Sequence, residues 1–238
     1  MIIAAVFAGG RGSRMGSTDT PKQYFMLGSK PIIIHTVEKF FINSRIDKVI
    51  VLCPKIWVEQ TKDLINKYIG KTEKIDVISG GETRNDTLEC ALDYIENKFG
   101  LDDDTIILTH DAVRPFVTHR IIEENIDCTI KTGACDTVVN AVDTIVESVD
   151  GKIISAIPER KNMYQGQTPQ SFKAKKLREI CRSLTPEEKA ILTDACKIYV
   201  LKGEPVSLVE GEAFNIKITY PYDLKMAKAL LEGVNEND

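Results

Sequence analysis

Short apolar runs alternate along the chain with longer stretches in which apolar residues recur every three or four positions. The runs at 2–8, 48–53, 75–79, 105–109 and 136–141 have the near-continuous Val, Ile, Leu and Ala content of strands buried on both faces. Between them, 32–41, 57–68, 87–98 and 120–132 carry the helical repeat. Strand and helix in alternation predict an α/β fold, a three-layer α/β/α sandwich around a largely parallel, mixed sheet.

After Val142 the rhythm breaks. Segments 144–148 and 152–157 flank Val149-Asp150-Gly151, and Asp-Gly between alternating segments predicts a hairpin. Because it interrupts the βα order, it reads as a β-arm protruding at about 142–168. The polar stretch 158–170 has no strand or helix periodicity and reads as irregular. Thr185-Pro186-Glu187-Glu188 is a helix start, with Thr as N-cap, Pro in the first turn and Glu closing a capping box. Strands at 206–209 and 215–219 and a helix from 221 to 233 complete the reading. No repeat, low-complexity tract or linker divides the chain, so 1–238 is expected to form one domain carrying the arm.

Composition narrows the function classes. A hydrophobic share of 43% supports a sizeable core, and a net charge of −4 speaks against a non-specific nucleic-acid binder. No apolar run reaches the ~20 residues of a membrane helix. The start, 1–10, reads as a buried strand entering a glycine turn and not as a signal peptide. Cys53, Cys90, Cys128, Cys135, Cys181 and Cys196 form no CxxC pair and have no His at zinc spacing, which suits reduced core thiols of a cytoplasmic protein. No nucleic-acid or membrane partner is expected.

The first strand delivers Phe7, Ala8, Gly9 and Gly10, then Arg11-Gly12-Ser13-Arg14 and Pro21-Lys22-Gln23. Glycines let backbone N–H groups approach an anion, and Arg11, Arg14 and Lys22 add positive charge where parallel sheets bind ligands. A glycine turn with solvated basic residues would leave the same isolated trace. The dinucleotide fingerprint fails, because Met15 stands where the third glycine belongs and no acidic residue follows the second strand. The Walker pattern GxxxxGK[ST] is also absent.

Further constellations close later strands. Gly80-Gly81-Glu82-Thr83-Arg84-Asn85-Asp86-Thr87 opens a helix and could offer backbone groups and a hydroxyl to a base edge, or be an ordinary N-capped start. His110-Asp111-Ala112-Val113-Arg114 puts a carboxylate beside the glycine loop, suited to Mg²⁺ bridging phosphates or to capping a turn and pairing with Arg114. Arg160 precedes the polar run 165–170, which a surface loop would explain. Lys217 alternates with Ile216 and Ile218 and so faces away from them, as a solvated strand lysine also would.

Taken in order, AGGRGSRMG with PKQ, GGETRNDT, HDAVRP, TPQSF, TDA and NIKITYPYDL resemble the cytidylyltransferases of the methylerythritol-phosphate type, over about 2–223. HDAVRPF and MYQGQTPQSF resemble the members acting on D-ribitol 5-phosphate, which supply CDP-ribitol for teichoic-acid and capsule polymers; the methylerythritol members tend to carry HDAARP. The resemblance implies a nucleotide-diphospho-sugar transferase-like fold, CTP as substrate and Mg²⁺ as cofactor. Phe7, Ala8, Gly9, Gly10, Gly81, Glu82, Thr83, Arg84, Asn85, Asp86, Thr87 and Ala112 would bind the nucleotide. Arg14, Lys22, Arg160 and Lys217 would be catalytic, and Asp111 would hold the metal. Thr144, Thr168 and Thr193 would lie near the acceptor. A homodimer is implied in which the arm is exchanged and Arg160 acts on the neighbour. A ribulose-5-phosphate reductase is the expected upstream partner. The alternatives are the same transfer to 2-C-methyl-D-erythritol 4-phosphate in isoprenoid synthesis, and a nucleotide-binding regulator without turnover. The latter would have no use for Arg14, Lys22, Asp111 and Lys217 together.

Overall fold

The computed structural model describes residues 1–10, 20–192 and 194–235. The first half follows the alternation closely. After β1 (Ile2–Phe7) comes a small hairpin, β2 (Met26–Leu27) with β3 (Lys30–Pro31), then α1 (Ile32–Phe41), β4 (Lys48–Cys53), α2 (Val58–Tyr68), β5 (Ile75–Ser79), α3 (Arg84–Phe99), β6 (Ile106–Asp111), α4 (His119–Thr132) and β7 (Ala134–Asn140). The strands β5, β4, β1 and β6 pair in parallel. The inner strands β1, β4 and β6 are buried on both faces, which is why no polar alternation marks them, whereas β5 forms the half-buried edge. In β1, Ala4 and Val6 meet Val37 and Phe40 of α1 and Ile121 of α4, while Ile3, Ala5 and Phe7 meet Leu88 and Leu92 of α3.

The second half departs from expectation. Residues read as irregular form β8 (Tyr164–Lys173), antiparallel between β6 and β7, in the sheet order β5-β4-β1-β6-β8-β7-β9. Its polar side chains hid it. Thr168, Gln170 and Ser171 are buried yet hydrogen-bonded to His110, Asp136 and Asn125, so they sit in the interior without the apolar signature of a core strand. Pro169 is tolerated mid-strand because the register shifts between Asp136 and Val138, so no ladder N–H is missed there.

After β8, α5 (Ala174–Arg182), α6 (Pro186–Ala190) and α7 (Ala195–Leu201) lead to β9 (Ser207–Glu210), which runs parallel to β7, and to α8 (Pro221–Asn235). The expected capping box forms, Thr185 with Glu188. The strand expected at 215–219 does not. That segment is extended but makes one sheet-like bond, Ile218 N–H to the Val113 carbonyl at 2.9 Å. The hairpin is also reduced. Asp150 Oδ1 accepts the N–H groups of Lys152 and Ile153 and Gly151 takes φ +69°, but the only bridge between the two sides is Glu147 with Ala156. A lone two-stranded ribbon is marginal in water, and Val149, Ile153, Ile154 and Ile157 are exposed along it.

Candidate active site

A cavity of about 390 Å³ opens at the carboxyl ends of β1 and β6, within the size range of small-molecule sites. Three walls converge on it. Phe7, Ala8, Gly9 and Gly10 leave β1, with Lys22 beside them; Gly81, Glu82, Thr83, Arg84 and Thr87 come from the start of α3; Asp111 and Lys217 close the far side.

The first wall is held from behind. Ala8 N–H bonds the Leu52 carbonyl, and Gln23, almost fully buried, donates its amide to the Ala8 carbonyl at 2.5 Å. Both backbone groups of Ala8 are thereby satisfied at the turn. Tyr24 supports this corner, stacked on Trp57 and hydrogen-bonded to Thr61.

The second wall is a capped helix start. Thr83 and Asp86 form a reciprocal capping box, and the Thr87 hydroxyl, bonded to the Thr83 carbonyl, accepts the Gly81 N–H. A Cβ on Gly81 would stand 2.2 Å from that of Asp86, so only glycine allows this approach. Asp86 thus supports the wall, and neither it nor Asn85 lines the cavity.

The third wall carries the charge. Asp111 ends β6 with its carboxylate almost buried. Arg84 bonds Oδ1, while Lys217 Nζ lies 2.9 Å and Arg114 Nε 3.5 Å from Oδ2. Burial alone would raise the Asp111 carboxyl; Arg84, Lys217 and Arg114 outweigh it and hold it well below the usual carboxylate range. Arg84 also lies over the Phe7 ring, 5.2 Å from its centroid, so the end of β1 positions it. Ala112 is buried behind, accepting from Thr36 and donating to Phe7.

The fold thus brings twelve of the expected residues to one place and others not. Thr168 lies behind Asp111, its hydroxyl engaged by His110 and by the Asp111 N–H. Thr144 and Arg160 sit on the arm away from the cavity of their own chain, Arg160 bonding the Val142 carbonyl. Arg14 and Thr193 lie outside the described residues. Gln23, His110 and the site role of Arg114 were missed. Each looks like an ordinary polar residue in sequence, although Arg114 stands one turn from Asp111.

Asp111 fits a magnesium ion shared with a substrate. Such an ion takes one or two carboxylates and completes its shell with phosphate oxygens and water. Among the described residues no cluster of three His, Cys, Asp or Glu side chains could hold an ion by itself. No helix among them is long and apolar enough to cross a membrane.

Comparison with known proteins bears on the family and the fold. Residues 2–233 match the family described as IspD, 2-C-methyl-D-erythritol 4-phosphate cytidylyltransferase. A solved 4-diphosphocytidyl-2C-methyl-D-erythritol synthase from Anaerococcus prevotii is 27% identical with a TM-score of 0.80, over 97% of this chain and 96% of that one. A Francisella tularensis 2-C-methyl-D-erythritol 4-phosphate cytidylyltransferase is 29% identical with a TM-score of 0.79, over 96% and 98%. A Thermus thermophilus counterpart, 24% identical over 98% and 100% with a TM-score of 0.72, shares the fold.

Proposed function

This chain belongs to the 2-C-methyl-D-erythritol 4-phosphate cytidylyltransferase family, and from that premise we propose that it transfers CMP from CTP to D-ribitol 5-phosphate, giving CDP-ribitol and pyrophosphate. The observation that carries the reading is a charge imbalance. Lys22, Arg84, Arg114 and Lys217 converge where the carboxylates among the described lining residues are those of Asp111 and Glu82. Such a site suits a polyanion.

The chemistry needs that imbalance. A phosphate monoester is mostly a dianion at pH 7, since its second pKa is near 6, so no general base is required. The obstacle is repulsion: at ~4 Å and an effective dielectric of ~20, each pair of like charges costs about 4 kcal/mol. An acceptor phosphate oxygen attacks the α-phosphorus in line. The new P–O bond forms as the bond to the bridging oxygen breaks, and pyrophosphate leaves with the electron pair. Lys22 and Arg14 would stabilise charge on the α-phosphate, and Lys217 would guide the acceptor phosphate. When bound at Asp111, Mg²⁺ supplies further neutralisation across the phosphates. The backbone of 8–10 and the 81–87 turn would hold the nucleotide.

Ribitol phosphate is favoured by the segments 110–116 and 163–172, which resemble those of the members acting on that acceptor. Thr144 and Arg160 would serve the partner protomer of a homodimer, with Val149, Ile153, Ile154 and Ile157 covered there. A ribulose-5-phosphate reductase would supply the acceptor. A second reading, transfer to 2-C-methyl-D-erythritol 4-phosphate, is favoured by the names of the similar structures. Pyrophosphate release, measured with CTP, Mg²⁺ and each acceptor separately, tests both. Release with ribitol phosphate is expected; release only with methylerythritol phosphate would overturn the assignment.

A further inference from the structure

Beneath the third wall, four residues close a buried ring of hydrogen bonds, three of its links ending on main-chain carbonyls. His110 Nε2 lies 3.1 Å from the Arg114 carbonyl, and Thr168 Oγ1 lies 2.9 Å from His110 Nδ1. Asn215 Nδ2 donates to the Thr168 carbonyl at 3.0 Å, and Arg114 Nη1 donates to the Asn215 carbonyl at 2.8 Å, returning to the start. His110 and Asn215 are fully buried and Thr168 and Arg114 nearly so. The Arg114 carbonyl can only accept, so His110 carries its hydrogen on Nε2. Thr168 Oγ1 also accepts the Asp111 N–H at 3.2 Å.

The ring joins segments far apart in sequence. His110 precedes Asp111 on β6, Arg114 ends the turn after it, Thr168 belongs to β8, and Asn215 stands two residues before Lys217. Asp111 and Lys217 therefore meet at 2.9 Å because both hang from one closed frame. A displacement of this frame by an ångström would move both together, and transfer rates fall steeply with such misplacement.

We propose that His110, acting through Thr168, is a positioning residue for the transfer reaction, locking the frame that sets Asp111 against Lys217. The inference rests on the transferase reading above. It assigns Thr168 to support of Asp111 and not to direct contact with the acceptor. The imidazole joins Arg114 to Thr168 and packs against Phe40, ring centroids 4.9 Å apart.

The test compares three variants of the full chain, using CTP, Mg²⁺ and the acceptor that the wild type turns over. His110→Phe keeps the packing against Phe40 and deletes both bonds. Thr168→Val keeps the shape and deletes the hydroxyl, and Thr168→Ser restores it. The expected result is a kcat lower by ~10-fold or more in His110→Phe and Thr168→Val, with each KM moving less than about threefold, and recovery in Thr168→Ser. Near-normal kcat in the folded Val variant would overturn the inference, as would a loss confined to the acceptor KM. If His110→Phe does not fold, the Val and Ser pair decides. A wild type that releases no pyrophosphate with either acceptor would sink the transferase reading and this inference with it. Active wild type with unaffected variants would sink the inference alone.

Discussion

Lys217 Nζ lies 2.9 Å from Asp111 Oδ2, joining the 215–219 segment to the end of β6 across the mouth of the cavity. Lys217 keeps a side-chain exposure of 41%, so its pairing adds little to stability and its charge remains available to a ligand. Lys217→Ala and Lys22→Ala are each expected to lower turnover by ~100-fold or more while the fold survives. Steady-state kinetics and thermal unfolding of the purified variants check this. Near-normal turnover in both would remove them from the site.

Asp111 is the carboxylate on which Arg84, Arg114 and Lys217 converge, and the same oxygens would hold the proposed magnesium ion. In the wild type, Mg²⁺ should tighten CTP binding, and chelation should abolish turnover. Asp111→Asn should erase that Mg²⁺ effect on nucleotide affinity and lower turnover by ~100-fold or more, while CTP without metal still binds the remaining cations. Calorimetric titration of CTP with and without Mg²⁺ measures both. An undiminished Mg²⁺ effect in the variant would place the ion elsewhere.

Two glycines separate ligand contact from protein packing. A Cβ at Gly10 would meet nothing within 4 Å, whereas one at Gly81 would stand 2.8 Å from the Asp86 backbone carbon. Gly10→Ala should leave stability within ~0.5 kcal/mol yet weaken CTP binding by ~10-fold, through loss of close backbone approach. Gly81→Ala should weaken binding and also destabilise by about 1–3 kcal/mol, because the α3 start must shift. Denaturant unfolding beside nucleotide titration distinguishes them. Unchanged CTP affinity in Gly10→Ala would take the nucleotide away from the first wall.

Asp136 gives a pH signature. Burial pushes its carboxyl up to about 6, with Gln170 lowering it and Asp194 raising it in smaller measure. A carboxyl whose pKa is raised on folding stabilises the native state while protonated, below the unfolded value near 4, and that stability is lost as pH rises through about 6. Asp136→Asn escapes the loss. The variant should match the wild type near pH 4 and exceed it by up to about 3 kcal/mol at pH 8, from 1.36 kcal/mol per pKa unit. Urea unfolding across that range reads the difference; parallel curves would contradict it.

How far the chain could be read follows from where each side chain finds its partner. The strands β1, β4 and β6 and their helices were legible because burial on both faces leaves a largely apolar run. The strand β8 was not, because Thr168, Gln170 and Ser171 are satisfied by His110, Asp136 and Asn125, partners remote in sequence. The alternation at 216–218 placed Lys217 and Ile218 on opposite sides, with Ile218 in the core beside Leu27 and Val113, but alternation alone could not say that no ladder forms. At the site, the glycine loop, the 81–87 turn, Asp111 and Lys217 were each visible as motifs. Gln23 acts through one bond to a backbone carbonyl, and His110 through one to a carbonyl and one to a hydroxyl, which leave no periodic trace.

The position of the bound triphosphate decides whether Lys22, Asp111 and Lys217 form the transfer site. A crystal structure of the protein with CTP and Mg²⁺ is the direct measurement. The α-phosphate is expected within hydrogen-bond reach, about 3 Å, of Lys22, with the metal on Asp111 and Lys217 facing the acceptor side. A triphosphate bound away from Lys22, Asp111 and Lys217 would contradict it.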